Sequence, residues 1–216
     1  MYGRMKGLLF ITHQTARYSY LQSVEIALQG GCRQIQLRMK DAPVAEVEAA
    51  ARQAKALCDV YRADLYIDDY VAICRNVNAA GVHIGKSDMP PSEARSLLGA
   101  GFIIGGTANT WDDILDLHQQ GVNYIGLGPF RFTTTKKQLS PVLGLEGYRH
   151  ILRLCRQHPI TIPIVAIGGI AINDIPDLMQ TGISGIALSS TILNADDPII
   201  ETKKIITKLS LCNTYK

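Results

Sequence analysis

Short apolar runs alternate with longer helix-like stretches along the whole chain, and this alternation constrains the fold more than any other feature. The first run is Leu8–Ile11, and the last is Gly185–Leu188. Runs that are apolar almost throughout are typical of parallel strands buried on both faces. The strands are predicted at residues 8–11, 33–38, 64–67, 81–85, 102–105, 124–128, 163–167 and 185–188, and the helices at 20–29, 44–60, 71–78, from 90–91 onward, 111–120, 145–157, 174–180 and 198–209.

Eight such β–α units predict an α/β protein with a single (β/α)8 fold, a TIM barrel. An open doubly wound sheet is the alternative. The sequence has neither a GxGxxG motif after its first strand nor a P-loop, and both absences count against that alternative.

The length and composition fit one compact domain over residues 1–216, with a tail after about residue 210 that we expect to be disordered. The 216 residues are 47% hydrophobic, and no Pro-, Ser- or Gly-rich linker divides them. The net charge of +3 is too small an excess to indicate binding to nucleic acid or to a membrane surface. The five cysteines form no CxxC pair, which predicts reduced thiols in a cytoplasmic protein. The oligomeric state is left open, a homo-oligomer included.

Polar residues alternate with apolar ones where the second predicted strand ends. Gln36, Arg38 and Lys40 share one face of an extended chain, and Leu37 and Met39 share the other. Neither face of a barrel strand is wet, and the chemistry of such barrels sits at the carboxyl ends of the strands. We therefore expect the polar set to point into the mouth of the barrel. The alternative is an ion pair at the rim with a neighbouring Asp.

Acidic residues follow the next two predicted strands. Asp68 and Asp69 end the third strand, and Asp88 follows the fourth. Adjacent strand ends would bring Asp69 and Asp88 together, and two carboxylates with no His or Glu ligand nearby favour Mg²⁺ bound with a substrate phosphate. The alternative is that these residues cap the helices that follow.

Three further groups of residues lie at later strand ends. Gly168 and Gly169 after the seventh strand, with Ser189 and Ser190 after the eighth, are typical of a phosphate site in a barrel, although tight turns also use paired glycines. Thr107 after the fifth strand offers a hydroxyl or a helix cap. The hydroxyls and the ammonium of the segment after the sixth strand could bind an anion, and they belong to Thr133, Thr135 and Lys136.

Together these positions predict two anion sites and one metal site in one mouth. Arg38, Lys40 and Lys136 with the Asp pair suit a diphosphate with Mg²⁺, and the glycines and serines suit a separate monophosphate. Two phosphorylated substrates in one pocket indicate a transfer in which diphosphate is the leaving group.

At these same residues the sequence resembles the thiamine phosphate synthase family, also called thiamine-phosphate pyrophosphorylase. The resemblance extends from about residue 8 to residue 209, and its Arg-x-Lys and Thr-x-Thr-Lys phrases are specific. The matching motifs are Gln-Leu-Arg-x-Lys (36–40), Asp-Asp (68–69), His-Ile-Gly-x-x-Asp (83–88), Gly-Leu-Gly-Pro (126–129), Thr-x-Thr-Lys (133–136), Pro-Ile-Val-Ala-Ile-Gly-Gly-Ile (163–170) and the two serines at 189–190.

The resemblance implies a (β/α)8 transferase that requires Mg²⁺. Its partners would be two small phosphorylated substrates, 4-amino-2-methyl-5-hydroxymethylpyrimidine diphosphate and 4-methyl-5-(2-phosphoethyl)thiazole, here called the pyrimidine diphosphate and the thiazole phosphate. The products would be thiamine phosphate and pyrophosphate, formed by a dissociative substitution.

The resemblance also implies a role for each matching residue. Gln36 would contact the pyrimidine, and Thr107 stands where the family usually has a Ser near the same ring. Arg38, Lys40 and Lys136 would hold the diphosphate. The remaining roles would be Mg²⁺ binding by Asp69 and Asp88, thiazole binding by Thr133 and Thr135, and binding of the thiazole phosphate group by Gly168, Gly169, Ser189 and Ser190.

The sequence departs from the family pattern at several positions, among them Met39, which replaces a commonly acidic residue. Asp68, which we place among the substrate-binding residues, stands where the family usually has Asn; Asn109 replaces a frequent His; and Arg131-Phe132 replaces a common aromatic-Pro pair.

Two other functions compete with the synthase. A thiazole tautomerase-like or regulatory relative would tend to lose the Thr-x-Thr-Lys motif and the metal carboxylates, and this chain keeps both. An isomerase or aldolase acting on a phosphosugar would need a catalytic Glu or Lys inside a strand, and the sequence offers no good candidate.

Overall fold

The computed structural model describes residues 5–132 and 141–213. Eight parallel strands close into a barrel in sequence order, and the last strand pairs with the first from Gly7↔Gly185 to Phe10↔Leu188. The predicted (β/α)8 fold is confirmed. The strands are β1 (Gly7–Ile11), β2 (Gln34–Leu37), β3 (Asp64–Asp68), β4 (Gly81–Ile84), β5 (Ile103–Ala108), β6 (Tyr124–Leu127), β7 (Ile164–Ile167) and β8 (Gly185–Leu188).

The helices lie between the strands and agree with the predicted ones to within a few residues. The main difference is a four-residue helix directly after β8, which the sequence did not predict. The helices are α1 (Tyr20–Gln29), α2 (Val44–Val60), α3 (Val71–Asn76), α4 (Pro91–Leu98), α5 (Trp111–Gln119), α6 (Gly144–Gln157), a 3-10 turn (Ile172–Asp174), α7 (Ile175–Gln180), α8 (Ser190–Leu193) and α9 (Pro198–Asn213).

The last helix, α9, ends at Asn213, beyond its predicted end at Leu209. The rest of the predicted tail, residues 214–216, lies outside the described residues. In the described ranges no helix is both long enough and apolar enough to cross a membrane.

Side chains alternate between two cores. One set of each strand packs outward against the helices, and the other fills the barrel interior with residues such as Leu9, Tyr66, Tyr124 and Val165. Tyr66 and Tyr124 meet edge to face with ring centroids 5.9 Å apart. A Cβ at Gly105 would overlap the Tyr124 ring, so glycine is needed there. This aromatic layer fills the barrel interior next to the strand ends that carry the polar residues.

All five cysteines are free thiols, as predicted. Four of them are buried, and burial raises the pKa of the Cys32 thiol to about 11. Such thiols are inert and serve packing.

Candidate active site

A buried polar pair lies where β2 and β3 end. The amide Nε2 of Gln36 donates to Asp68 Oδ1 at 2.5 Å, and the two residues are only 2% and 6% exposed. Arg38 Nε lies 3.5 Å from Asp68 Oδ2, which is the rim ion pair that the sequence left open as an alternative. The Oε1 atom of Gln36 is buried and has no hydrogen-bond partner among the described residues. A buried acceptor in this state costs about 1–3 kcal/mol, so it is suited to meet a donor from a ligand.

Two carboxylates and one ammonium converge where β3 and β4 end. Lys40 Nζ lies 3.1 Å from Asp69 Oδ2 and 3.9 Å from Asp88 Oδ2. Asp69 has a φ of +66°, a left-handed conformation that is uncommon outside glycine. The backbone N–H of Gly85 donates to Asp88 Oδ2 at 3.0 Å, and a Cβ at Gly85 would come within 2.5 Å of that oxygen. The loop is therefore shaped around the carboxylate of Asp88.

The electrostatics of this cluster follow from its burial and its charges. Burial raises the pKa of Asp88, and the adjacent carboxylate of Asp69 raises it further. Burial alone would lower the pKa of Lys40, but the nearby carboxylates, Asp69 first, hold it above its ordinary value. Two carboxylates this close favour a cation between them.

These aspartates do not cap the helices that follow. The N-caps of α3 and α4 are Tyr70 and Pro90, and neither helix has a side-chain capping bond. The helix-cap alternative is therefore wrong for Asp69 and Asp88. In the described part of the chain no three His, Cys, Asp or Glu residues form a metal-binding group. A metal here would take its other ligands from substrate or water, as Mg²⁺ commonly does.

Three hydrogen-bonding side chains link the neighbouring strands β4, β5 and β6. His83 lies between the Tyr124 hydroxyl, 3.0 Å from Nδ1, and the Thr107 hydroxyl, 2.9 Å from Nε2. The cap of α5 is Thr110, whose Oγ1 accepts from the Asp113 N–H at 3.2 Å. Thr107 is thus free of the capping role and sits partly exposed at the end of β5.

The loop after β7 packs its backbone against the loop after β6. Gly168 and Gly169 have φ values of +94° and +65°. A Cβ at Gly168 would lie 2.7 Å from Pro129 Cβ, and one at Gly169 would lie 2.8 Å from Arg131 Cβ. Only glycine fits both the backbone angles and the space. The paired glycines therefore bring two loop backbones together.

Arg131 stabilises the contact between the loops after β6 and β7. Its guanidinium donates to both carboxylate oxygens of Asp174, at 2.5 and 2.6 Å, and to the carbonyl of Gly169 at 3.0 Å. The bond from Arg131 lowers the pKa of Asp174, and that carboxylate also accepts from the Ala171 N–H at 2.8 Å. The sequence marked Arg131 only as a departure from the family. Its partner lies 43 residues away, beyond the reach of any local pattern.

The two predicted serines lie at the start of α8. Ser189 is its N-cap position, and the Ile192 N–H donates to the Ser189 carbonyl at 3.0 Å. The Ser189 hydroxyl oxygen is buried without a hydrogen-bond partner in the described ranges. The first N–H groups of a helix have no partner within the helix. Together with the Ser189 hydroxyl they could donate hydrogen bonds to an anion.

The structure therefore brings together Gln36, Arg38 and Asp68, and separately Lys40, Asp69 and Asp88. Thr133, Thr135 and Lys136 lie outside the described residues. Sequence reasoning missed Tyr124 and gave His83 no role, although His83 belongs to the His-Ile-Gly-x-x-Asp motif. No local pattern marks them, because the glycines that face Tyr124 and His83, at positions 105 and 126, are distant from them in the sequence.

Comparison with known proteins shows the family to which the chain belongs. The family model described as thiamine monophosphate synthase matches residues 8–192. A thiamine-phosphate synthase of Phocaeicola vulgatus is 60% identical over 92% of this chain and 96% of its own length, and one of Bacteroides thetaiotaomicron is 57% identical over 94% and 97%. The solved structure of a thiamine phosphate pyrophosphorylase from Pyrococcus furiosus has a TM-score of 0.84 at 31% identity, and covers 97% of this chain and 98% of that one. The chain therefore belongs to the thiamine monophosphate synthase family.

Proposed function

We propose that the chain is a transferase that joins the pyrimidine diphosphate to the thiazole phosphate, releasing thiamine phosphate and pyrophosphate. The observation that carries this proposal is the presence of two charged groups at one strand-end edge, Arg38 with Asp68 and Lys40 with Asp69 and Asp88. The glycine-lined loop after β7 lies at the same edge. The first feature suits a diphosphate with a cation. The second suits a separate phosphate group.

The pyrimidine half would lie against β2 and β3. The unpartnered Oε1 of Gln36 is an acceptor suited to an exocyclic amino group. That amino group can release electrons into the ring, so the bond between methylene carbon and diphosphate oxygen can break before the thiazole nitrogen attacks. Such a dissociative substitution needs stabilisation of the leaving group and alignment of the two substrates, and it needs no strong base.

Cations would stabilise the departing diphosphate. Arg38 lies beside the buried pair of Gln36 and Asp68, and Lys40 lies next to the two metal-site carboxylates. Lys136, from the Thr-x-Thr-Lys motif, is the third cation that we assign to this role. Charges held in place in this way are most effective where the negative charge of the transition state accumulates.

The carboxylates of Asp69 and Asp88 fit Mg²⁺, because they converge and supply only hard oxygen ligands. Bound Mg²⁺ would supply neutralisation of the diphosphate charge. The chain's own residues orient the carboxylates: the Gly85 N–H fixes Asp88, and the left-handed backbone at Asp69 turns its side chain toward the same point.

The thiazole half would lie across the mouth. Gly168, Gly169, Ser189 and Ser190 are the residues that we assign to its phosphate, and Thr133 and Thr135 to its ring. We also infer a cytoplasmic location from the free thiols and the phosphorylated substrates. The oligomeric state stays open, a homo-oligomer included, and neither nucleic acid nor membrane is part of the proposal.

The test is an assay of the purified chain with both substrates and Mg²⁺. We expect thiamine phosphate and pyrophosphate in equal amounts, and no product when either substrate is omitted. If calorimetry shows tight binding of the thiazole phosphate but no product forms, the proposal fails in favour of the tautomerase-like or regulatory relative.

A further inference from the structure

A series of three hydrogen-bonded side chains links β6, β4 and β5 and ends at Thr107, one residue before the carboxyl end of β5. Tyr124 is fully buried, His83 is nearly so, and Thr107 is partly exposed. The Tyr124 hydroxyl lies 3.0 Å from His83 Nδ1, and the Thr107 hydroxyl lies 2.9 Å from His83 Nε2. The register explains the alignment, because His83 pairs with Gly105 and Thr107 pairs with Gly126.

The two glycines provide the space for this series of side chains. A Cβ at Gly105 would overlap the Tyr124 ring, and a Cβ at Gly126 would lie 3.1 Å from His83 Cε1. Glycine inside a strand costs roughly 0.5–1 kcal/mol relative to alanine. Because two strand positions carry this cost, and both glycines leave room for His83 and Tyr124, the sequence is adapted to this pair of side chains.

The direction of the two hydrogen bonds follows from the chemistry of the groups. A buried phenol needs an acceptor for its hydrogen, and within the described residues the hydroxyl of Tyr124 forms a hydrogen bond only with His83 Nδ1. Burial raises the pKa of Tyr124 well above its ordinary value, so the phenol keeps its proton. His83 Nδ1 is then the acceptor, and a neutral imidazole carries its one hydrogen on Nε2.

The tautomer of His83 decides the hydrogen-bond role of Thr107. With the hydrogen on Nε2, His83 donates to the Thr107 oxygen, and the Thr107 hydroxyl keeps its own hydrogen for another acceptor. In the described part of the chain Thr107 makes no second side-chain hydrogen bond. It is partly exposed and lies one residue before the carboxyl end of β5, and the candidate site lies at the carboxyl ends of the strands. Without the tyrosine hydroxyl, Thr107 could instead donate to His83 and turn only an acceptor toward the mouth.

We infer that Tyr124 is a positioning residue that holds His83 in its Nε2-protonated form, and so makes Thr107 a hydrogen-bond donor toward an acceptor atom of the pyrimidine diphosphate. The identity of the substrate rests on the proposed function. The tautomer of His83 does not, because it can be measured without any ligand.

The first test is ¹⁵N NMR of the histidine side chains in the ligand-free protein, with His83 assigned by its loss in His83→Gln. We expect wild-type His83 to be a single tautomer with its hydrogen on Nε2. We expect Tyr124→Phe to lose this preference, and Tyr66→Phe, which removes a hydroxyl from the same interior, to keep it. A hydrogen on Nδ1 in the wild type, or an unchanged His83 in Tyr124→Phe, overturns the inference.

The second test is a double-mutant cycle on binding of the pyrimidine diphosphate. Loss of one hydrogen bond predicts about three- to tenfold weaker binding for Tyr124→Phe and for Thr107→Val. If Tyr124 acts through Thr107, the double variant should bind no more weakly than Thr107→Val alone. Tyr66→Phe is the control and should bind as the wild type does.

The outcomes separate this inference from the proposed function. Additive losses in the cycle, with wild-type protein that still makes thiamine phosphate, would overturn the link between Tyr124 and the substrate alone. Wild-type protein that makes no product would overturn the proposed function, and the NMR experiment would still decide the tautomer.

Discussion

Arg131 and Asp174 join the loops after β6 and β7 through two charge-assisted hydrogen bonds, of 2.5 and 2.6 Å. Such forked pairs fix orientation as well as distance. Because the same guanidinium also donates to the carbonyl of Gly169, the pair holds the glycine loop that we assign to the thiazole phosphate. This gives a physical role to a residue that the sequence marked only as a departure from the family.

Replacement of Arg131 by Lys should weaken binding of the thiazole phosphate. A single ammonium cannot reproduce the fork, so we expect KM for that substrate to rise about three- to tenfold, with little change for the pyrimidine diphosphate. Steady-state kinetics with each substrate varied in turn will measure this. Arg149→Lys is the matched control, since Arg149 pairs with Glu146 at 2.6 Å on the exposed face of α6. Equal effects in both variants would contradict a role for Arg131 at the site.

Acid should weaken Mg²⁺ binding at a higher pH than an ordinary aspartate would allow. Burial raises the pKa of Asp88, and Asp69 adds to this. A raised pKa means that the stability contributed by this group is present below its unfolded pKa and is lost as pH rises through its folded pKa. With Asp69 and Asp88 both ionised at neutral pH, their repulsion and burial destabilise the folded protein. A bound divalent cation offsets this destabilisation.

Thermal unfolding with and without Mg²⁺, from pH 5 to pH 8, measures that effect. We expect a rise in Tm with Mg²⁺ that grows with pH in the wild type and disappears in Asp88→Asn. The variant without metal should also be more stable than the wild type at neutral pH. Asp177→Asn, at an exposed position of α7, is the control and should leave the Mg²⁺ effect intact. A Tm rise that is independent of pH would argue against a metal at this pair.

Replacement of Asp68 by Asn should improve binding of the pyrimidine diphosphate. The amide oxygen can still accept from Gln36, while Arg38 loses the negative charge that competes with the substrate. We therefore expect a lower KM for Asp68→Asn. Asp68→Leu should instead leave the buried Gln36 amide without its acceptor and cost about 1–3 kcal/mol in urea unfolding. A higher KM in Asp68→Asn would mean that the carboxylate itself contributes to binding.

Much of the barrel could be predicted because its determinants are local. Buried parallel strands are apolar almost throughout, and the helices carry their own periodicity, so the units from Leu8 to Leu209 could be read one at a time. Side-chain alternation also placed Gln36, Arg38 and Lys40 on one face, and parallel strand ends placed Asp69 near Asp88. The structure shows both sets in contact with their neighbours.

The remaining features depend on register and on distant contacts. A buried His and Tyr in apolar strands are typical of packing, and only the pairing of β4, β5 and β6 shows that His83 lies between Tyr124 and Thr107. The partner of Arg131 is 43 residues distant, and α8 has only four residues, too few for a periodic pattern.

Replacement of Gly168 by Ala should damage the loop by two separable effects. The backbone has a φ of +94°, and the new Cβ would lie 2.7 Å from Pro129 Cβ. Gly144→Ala is the matched control, since its φ is +56° but nothing lies within 4 Å of an added Cβ. Left-handed strain alone costs about 1–2 kcal/mol, so we expect the control to show roughly that loss in urea unfolding. Gly168→Ala should show a larger loss and a higher KM for the thiazole phosphate. Equal losses of unfolding free energy in the two variants would mean that Pro129 moves away from the new Cβ without destabilising the protein.

Replacement of Lys136 by Ala should slow formation of pyrophosphate by more than about tenfold, because a cation placed at the leaving group stabilises the charge that develops as the bond breaks. This prediction rests on the Thr-x-Thr-Lys motif, which lies outside the described residues. Single-turnover kinetics with both substrates and Mg²⁺ will measure the chemical step. Lys137→Ala is the matched control, since it removes the same charge one position further along the chain and falls outside the motif. We expect it to react at close to the wild-type rate. An unchanged rate in Lys136→Ala would remove Lys136 from the mechanism and leave Arg38 and Lys40 as the cations that stabilise the leaving group.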